Sequence, residues 1–231
     1  MLLLAAGSGT RVGGELNKVL LPLHGRPVLA WSLRTILSLE YVDALVVVAR
    51  RADLDLVRQV VERELPAGRE AALVVGGATR HASEWQGLQV LRDAVTRGDL
   101  DVLLVHDAAR PLTEADLFDA TVRSAAEHGG AVPVRAQPSL VSADHRRHLR
   151  DLGAVQTPQA FRASALIDAY TTAEADGFTG TDTAGCFTAY ARLPVHGVPA
   201  PATNLKITFA EDVDLAERLL SPGQALDEAQ V

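Results

Sequence analysis

The sequence predicts an α/β fold: a Rossmann-like, mostly parallel sheet with helices on both faces. Three observations predict it. Short apolar runs alternate along the chain with longer amphipathic stretches. Several of the short runs are unbroken aliphatic residues, the pattern of strands buried on both faces. The first run leads straight into a glycine-rich loop, and in such sheets ligands bind beyond the carboxyl ends of the strands.

The elements follow in order. Strands are predicted over 2–5, 44–49, 71–75, 102–106, 131–134 and 205–208. Helices are predicted over 28–39, 82–95, 114–128, 162–175, 182–192 and 210–220, and Leu54, Val57, Val60, Val61 and Leu65 mark the apolar face of another. Thr113 with Asp116, and Thr208 with Glu211, read as Ser/Thr-x-x-acid helix starts. Residues 135–150, RAQPSLVSADHRRHLR, break the rhythm, being polar, with Pro138 and no helical period. They read as a surface loop or, given their length, equally as a functional arm or lid. The expected organisation is one domain over 1–220 carrying this arm, then a frayed polar tail over 221–231.

Composition narrows the function classes. The chain has 231 residues, 48% of them apolar, enough for a sizeable core and against disorder. A formal net charge of −7 and a pI near 5.5 argue against nucleic acid or an anionic membrane as the main partner. The single cysteine, Cys186, excludes an internal disulfide framework and a cysteine-based zinc site. The apolar start is far too short to span a bilayer and follows no basic segment, so a cytoplasmic location is expected. It begins almost directly on the first strand, which leaves room for a few residues upstream. Of the 22 basic residues, only Lys18 and Lys206 are lysines. Where arginine dominates so strongly, a lysine points to a place that needs a compact ammonium on a flexible stem.

The glycine loop, in LLAAGSGTRVGGELNK (3–18), fits neither standard nucleotide motif. A dinucleotide fingerprint needs a third small residue where Val12 stands, and an acid near the end of the second strand, which ends instead in Arg50-Arg51. A P-loop needs Gly-Lys-Ser/Thr, which is absent. What remains is Gly7-Ser8-Gly9-Thr10-Arg11 with Lys18 downstream. Glycines let backbone N–H groups reach phosphate oxygens. Two cations, Arg11 and Lys18, beside one phosphate suit a reaction whose transition state gains negative charge.

The stretch LAAGSGTRVGGELNKVLLPLHGRPVLAWSL (4–33) resembles the opening of nucleotide-sugar-type nucleotidyltransferases. GGATRHAS (76–83), VHDAARP (105–111), QTPQAF (156–161), TNLKIT (203–208), TDTA (181–184) and AEDVDLAE (210–217) narrow it. Together they resemble the 2-C-methyl-D-erythritol 4-phosphate cytidylyltransferases of non-mevalonate isoprenoid synthesis, over residues 2–220. The resemblance implies a nucleotide-diphospho-sugar transferase sheet with a projecting arm. It implies cytidylyl transfer from CTP to methylerythritol phosphate with release of pyrophosphate, using Mg²⁺ or another divalent cation. Arg11 and Lys18 match the positions that stabilise the pentacoordinate transition state. Ala5, Ala6, Gly7, Ser8 and Gly9, with Gly77 and Ser83, match the nucleotide pocket. Lys206 matches a substrate-positioning lysine, and Asp107, Arg110, Thr157 and Thr181 match the methylerythritol phosphate side. Arg150 is the best match for a second positioning residue. Mg²⁺ is expected mainly on the triphosphate oxygens and water, with Asp107 a candidate ligand or, equally, a hydroxyl-binding residue. The resemblance also implies a homodimer in which the arm reaches into the partner's pocket.

This chain departs from the family pattern on the acceptor side. Ala136-Gln137 replaces an Asp-Thr pair, Ser139 replaces a lysine, and the arm is shorter. That leaves open another polyol phosphate acceptor, such as ribitol 5-phosphate. It also leaves open a reading of another class, a nucleotide-binding regulatory protein without turnover. Of the other conspicuous residues, His106 reads as structural, Cys186 as core, Trp31 and Trp85 as packing, and HRRH (145–148) as an exposed cluster. Arg80 reads equally as a triphosphate contact or as a charge at a helix start.

Overall fold

A computed structural model describes residues 1–7, 17–137 and 152–221, together with the backbone of 140–141 and 148–149. In chain order the elements are β1 (Leu2–Ala5), β2 (Pro22–Leu23), β3 (Arg26–Pro27), α1 (Val28–Leu37), β4 (Val46–Ala49), α2 (Leu54–Glu64), β5 (Ala72–Val75) and α3 (Arg80–Arg97). Then come β6 (Val102–Asp107), α4 (Ala115–His128), β7 (Gly130–Ala136), β8 (Leu140–Val141), β9 (His148–Leu149), β10 (Gly153–Val155) and β11 (Gln159–Arg162). The last elements are α5 (Ala163–Ala175), α6 (Thr183–Tyr190), β12 (Val195–Pro199) and α7 (Glu211–Leu220).

The unbroken apolar runs make the middle of the main sheet. Strands β5, β4, β1 and β6 lie side by side and parallel. Strand β11 continues the sheet antiparallel to β6 and hands it on to β7. Strand β7 pairs in parallel with β12 and antiparallel with β10.

Period-two alternation sends successive side chains to opposite faces. Leu3, Ala5, Val47, Ala49 and Leu104 enter one core with residues of α1, α2 and α4. Leu2, Val46, Val48, Leu103 and Val105 enter a second core with α3, α5 and α6. Each such buried Leu or Val stabilises the fold by roughly 1.5–3 kcal/mol relative to exposure. A smaller cluster of Leu23, Val28, Ile207 and Ala216 joins α7 to the β2–β3 hairpin. Gly87 lets α3 sit close on the sheet: a Cβ there would lie 2.8 Å from Leu2 Cδ2 and 2.9 Å from Val48 Cγ2.

Several expectations are corrected. Residues 205–208 form no strand; the Ile207 N–H bonds Ala109 O at 2.8 Å while its side chain fills the small cluster. Thr113 is not a helix cap, because Glu114 occupies the cap position of α4 and the Thr113 hydroxyl turns to Asn204 Oδ1 at 2.7 Å. At α7 the capping acid is Asp212, which accepts the N–H groups of Thr208 (2.7 Å) and Phe209 (2.8 Å). The stretch 135–150 is partly regular: β7 runs to Ala136, β10 pairs back along it, and β8 pairs with β9. The tail 222–231 and residues 145–147 of HRRH lie outside the described residues. No described helix is long and apolar enough to cross a membrane.

Candidate active site

A cavity of about 340 Å³ opens beyond the carboxyl ends of β1 and β6, beside the start of α3. Ala6, Gly7, Lys18, Gly77, Ser83, Asp107 and Lys206 line it, with Arg80 and Thr79. Sequence positions far apart thus meet where a parallel sheet presents its ligand crevice.

Lys18 is positioned from the end of β1. The fully buried Asn17 donates from Nδ2 to Ala5 O (3.1 Å) and to Asp53 Oδ2 (2.8 Å). Its Oδ1 accepts the Val19 N–H (3.3 Å), capping the 3₁₀ turn Lys18–Leu20. Asp53 is held in turn by Arg50, Nε to Oδ2 at 2.5 Å and Nη2 to Oδ1 at 2.9 Å. Lys18 therefore leaves a turn pinned to the sheet.

The opposite wall is the start of α3. Gly77 packs on the first turn of that helix; a Cβ there would sit 2.5 Å from Ala82 Cβ. Thr79 Oγ1 caps the helix by accepting the Ala82 N–H (3.0 Å), and Ser83 Oγ donates to Thr79 O (2.8 Å). The amino end of an 18-residue helix therefore borders the cavity. Such an end carries partial positive charge and favours phosphate.

Asp107, the last residue of β6, is the one carboxylate lining the cavity among the described residues. Its Oδ1 accepts from Arg80 Nη1 at 2.5 Å and its Oδ2 from Lys206 Nζ at 2.6 Å. Burial alone would raise this carboxyl, but the charges of Arg80 and Lys206 outweigh it and hold it far below the usual carboxylate range. Arg80 also reaches back to the fully buried Glu84, Nε to Oε1 at 2.9 Å. Burial opposes its charge, yet Asp107 and Glu84 outweigh this and push its guanidinium up. Arg80 is thus a tie between two carboxylates.

The remaining expected residues divide. Thr157 is buried behind the cavity, its Oγ1 accepting the Asp107 N–H (3.0 Å) and lying 3.2 Å from His106 Nδ1. Burial pushes the His106 imidazole down to about 3, so it is a neutral core residue packed on Phe118 at 4.9 Å. Arg110 is buried too, Nη1 donating to Asn204 O at 2.7 Å. Thr181 is exposed on the loop before α6. Ala5, Arg110, Thr157 and Thr181 are not among the cavity's lining residues; Ala5 is buried, and its carbonyl accepts from Asn17. Ser8, Gly9, Arg11 and Arg150 lie outside the described residues.

Sequence reasoning missed Asn17 and Asn204. Asn204, fully buried, joins the TNLKIT and QTPQAF stretches by donating to Thr157 O (3.1 Å) and Gln156 Oε1 (2.8 Å). Each asparagine sits within two residues of one of the two lysines, and that adjacency was the available signal.

No group of three or more His, Cys, Asp and Glu side chains among the described residues is placed to hold a metal. Both oxygens of Asp107 are engaged by cations. Asp107 is therefore the one carboxylate among the described residues that borders the cavity and would face a divalent cation bound there.

The family model for IspD, 2-C-methyl-D-erythritol 4-phosphate cytidylyltransferase, matches residues 1–222. The chain belongs to this family. A 2-C-methyl-D-erythritol 4-phosphate cytidylyltransferase of Parasynechococcus marenigrum is 37% identical, over 96% of this chain and 97% of the relative. One from Symbiobacterium thermophilum is 38% identical, over 94% and 90%. The solved 4-diphosphocytidyl-2C-methyl-D-erythritol synthase of Anaerococcus prevotii superposes with a TM-score of 0.80 at 25% identity, over 95% of this chain and 96% of that one. The Thermus thermophilus cytidylyltransferase gives 0.71 at 30% identity, over 95% and 97%. The fold is therefore that of the cytidylyltransferases, and the chain is a nucleotidyltransferase by family.

Proposed function

We infer that this chain transfers a cytidylyl group from CTP to 2-C-methyl-D-erythritol 4-phosphate and releases pyrophosphate. The observation that carries the reading is the cavity itself, in a member of this family. It gathers Lys18, Lys206, Arg80 and a helix amino end around one carboxylate.

The chemistry suits that set. An oxygen of the acceptor's phosphate attacks the α-phosphorus of CTP, a new P–O bond forms, and the bond to the β-phosphate oxygen breaks in line. The attacking group is already an anion, so no strong general base is required. Catalysis becomes positioning plus neutralisation of charge on the transferred phosphoryl group. Lys18, with Arg11, neutralises charge growing at the α-phosphate. Ala5, Ala6, Gly7, Ser8, Gly9, Gly77 and Ser83 cradle the nucleotide. Asp107 and Lys206 orient the acceptor, with Arg110, Arg150, Thr157 and Thr181 shaping its side. A divalent cation such as Mg²⁺, carried on the triphosphate, neutralises phosphate charge when bound. The domain spans 1–220, and its arm over 135–150 builds a homodimer. The protein acts in the cytoplasm.

The replacement at Ala136-Gln137 favours a second reading, in which the acceptor is ribitol 5-phosphate or a related polyol phosphate. Pyrophosphate release with CTP, Mg²⁺ and methylerythritol phosphate tests the first. Release that Lys18→Ala abolishes supports it, and it also excludes a regulatory protein without turnover. No release above a no-enzyme control overturns it.

A further inference from the structure

Glu84 lies outside the cavity, yet it is the most deeply placed charge connected to it. Its carboxylate is fully buried on α3, four residues beyond Arg80. Its Oε1 accepts from Arg80 Nε (2.9 Å) and from Thr183 Oγ1 (2.9 Å), and its Oε2 accepts from the Tyr170 hydroxyl. From Arg80 the chain of contacts continues to Asp107 Oδ1 (2.5 Å) and, through Oδ2, to Lys206 (2.6 Å). An unbroken polar line therefore runs from α5 and α6 to Asp107 and Lys206 in the wall of the cavity.

This line is unusual on physical grounds. His81, Ser83, Gly87, Leu88 and Leu91 are the other buried residues of α3, none of them an acid, and a buried helix face ordinarily carries an apolar residue at such a place. A desolvated carboxylate there is expensive, and an ion pair that offsets it is weak grounds for stability. The far end of the line adds a second observation. Thr183 stands two residues after Thr181, and Asp182 between them caps α6 through the Gly185 N–H (2.9 Å) and accepts from Gln159 Nε2 (2.9 Å). Glu84 thus ties the start of α6 to the start of α3.

We propose that Glu84 is a positioning residue for the transfer reaction, fixing Arg80 so that Asp107 and Lys206 meet the acceptor in one arrangement. The proposal rests on the activity inferred above. With Glu84 neutral, Arg80 keeps only Asp107 as a charged partner, and the Asp107–Lys206 pair loses its fixed support.

Glu84→Gln keeps size and an acceptor oxygen while removing the charge; Glu84→Met, matched to the apolar stripe, is the second variant if the first does not fold. Either is expected to lower kcat/KM for the acceptor by on the order of 10-fold or more, since small misplacements of positioning groups have effects of that size. KM for CTP should stay within about twofold. In an Arg80→Met background the same substitution should add less than about twofold, because Glu84 acts through Arg80. Full acceptor kcat/KM in a folded Glu84 variant, or losses that multiply in the Arg80→Met background, would overturn the proposal. Turnover by the unmodified chain tests the activity reading separately. If that fails, the crystal structure of Glu84→Met decides: an Arg80 guanidinium displaced from Asp107 supports the positioning role, and an unmoved one refutes it.

Discussion

Asp107→Asn is the perturbation whose consequences the site geometry fixes most closely. The carboxylate is buried, with Arg80 on one oxygen and Lys206 on the other. Removing one partner of a buried ion pair costs about 3–5 kcal/mol when the other charge is left unpaired. Here Arg80 keeps Glu84, and the Lys206 side chain is 35% exposed. The expected loss is therefore smaller, about 2–3 kcal/mol at neutral pH. The sign of its pH dependence follows from the depressed carboxyl. A group held lower in the folded chain than its ordinary value of about 3.9 contributes stability above that value and loses it as pH falls below. The gap between the parent chain and the variant should hold from about pH 7 to about pH 5, then shrink by about 1.3 kcal/mol at about pH 3. Urea unfolding at each pH reads this directly. A gap that is absent at neutral pH, or that stays constant or widens below about pH 4, would refute the ion-pair reading of Asp107.

Two further outcomes are expected. Asn17→Ala removes the carboxamide that joins Ala5, Asp53 and Val19, so stability should fall by about 2–3 kcal/mol and kcat should fall with it, because the turn carrying Lys18 loses its anchor; an unchanged kcat in the folded variant would show that Lys18 is placed by other contacts. The Cys186 thiol is buried in the second core and pushed up to about 12, so thiol reagents at mildly alkaline pH should label it only after denaturant is added; rapid labelling of the native chain would contradict its place in the core.

The sheet was legible where the chain carries unbroken aliphatic runs, and β11 (Gln159–Arg162), buried but without such a run, was missed. Strands β1, β4, β5 and β6 lie along unbroken aliphatic runs, and the predicted strands overlap all four. Strands β10 and β12 were invisible because they are mostly exposed and carry Gly153, Gly197 and Pro199; pairing with β7 makes them strands, and pairing partners are not local information. The stretch 205–208 failed in the opposite sense. Leu205 and Ile207 alternate with polar residues as a strand would, but they serve a small cluster under α7. At the site, both lysines line the cavity, and Gly77, Ser83 and Asp107 join them. Arg80 and Glu84 show what was lost. An Arg–Glu pair four apart on a helix usually means a solvated surface pair worth little. Only the packing of α3 on α5 and α6 makes it a buried tie. The one local hint was an acid on the apolar stripe between Ser83 and Gly87.

The central claim is cytidylyl transfer to methylerythritol phosphate, despite Ala136-Gln137 and Ser139 in the arm. Initial rates with CTP and Mg²⁺ across a panel of polyol phosphates test it most directly. The expected result is a kcat/KM for 2-C-methyl-D-erythritol 4-phosphate on the order of 100-fold above that for ribitol 5-phosphate, the discrimination a site built around specific polar contacts supplies. Equal or greater efficiency with ribitol 5-phosphate would contradict it.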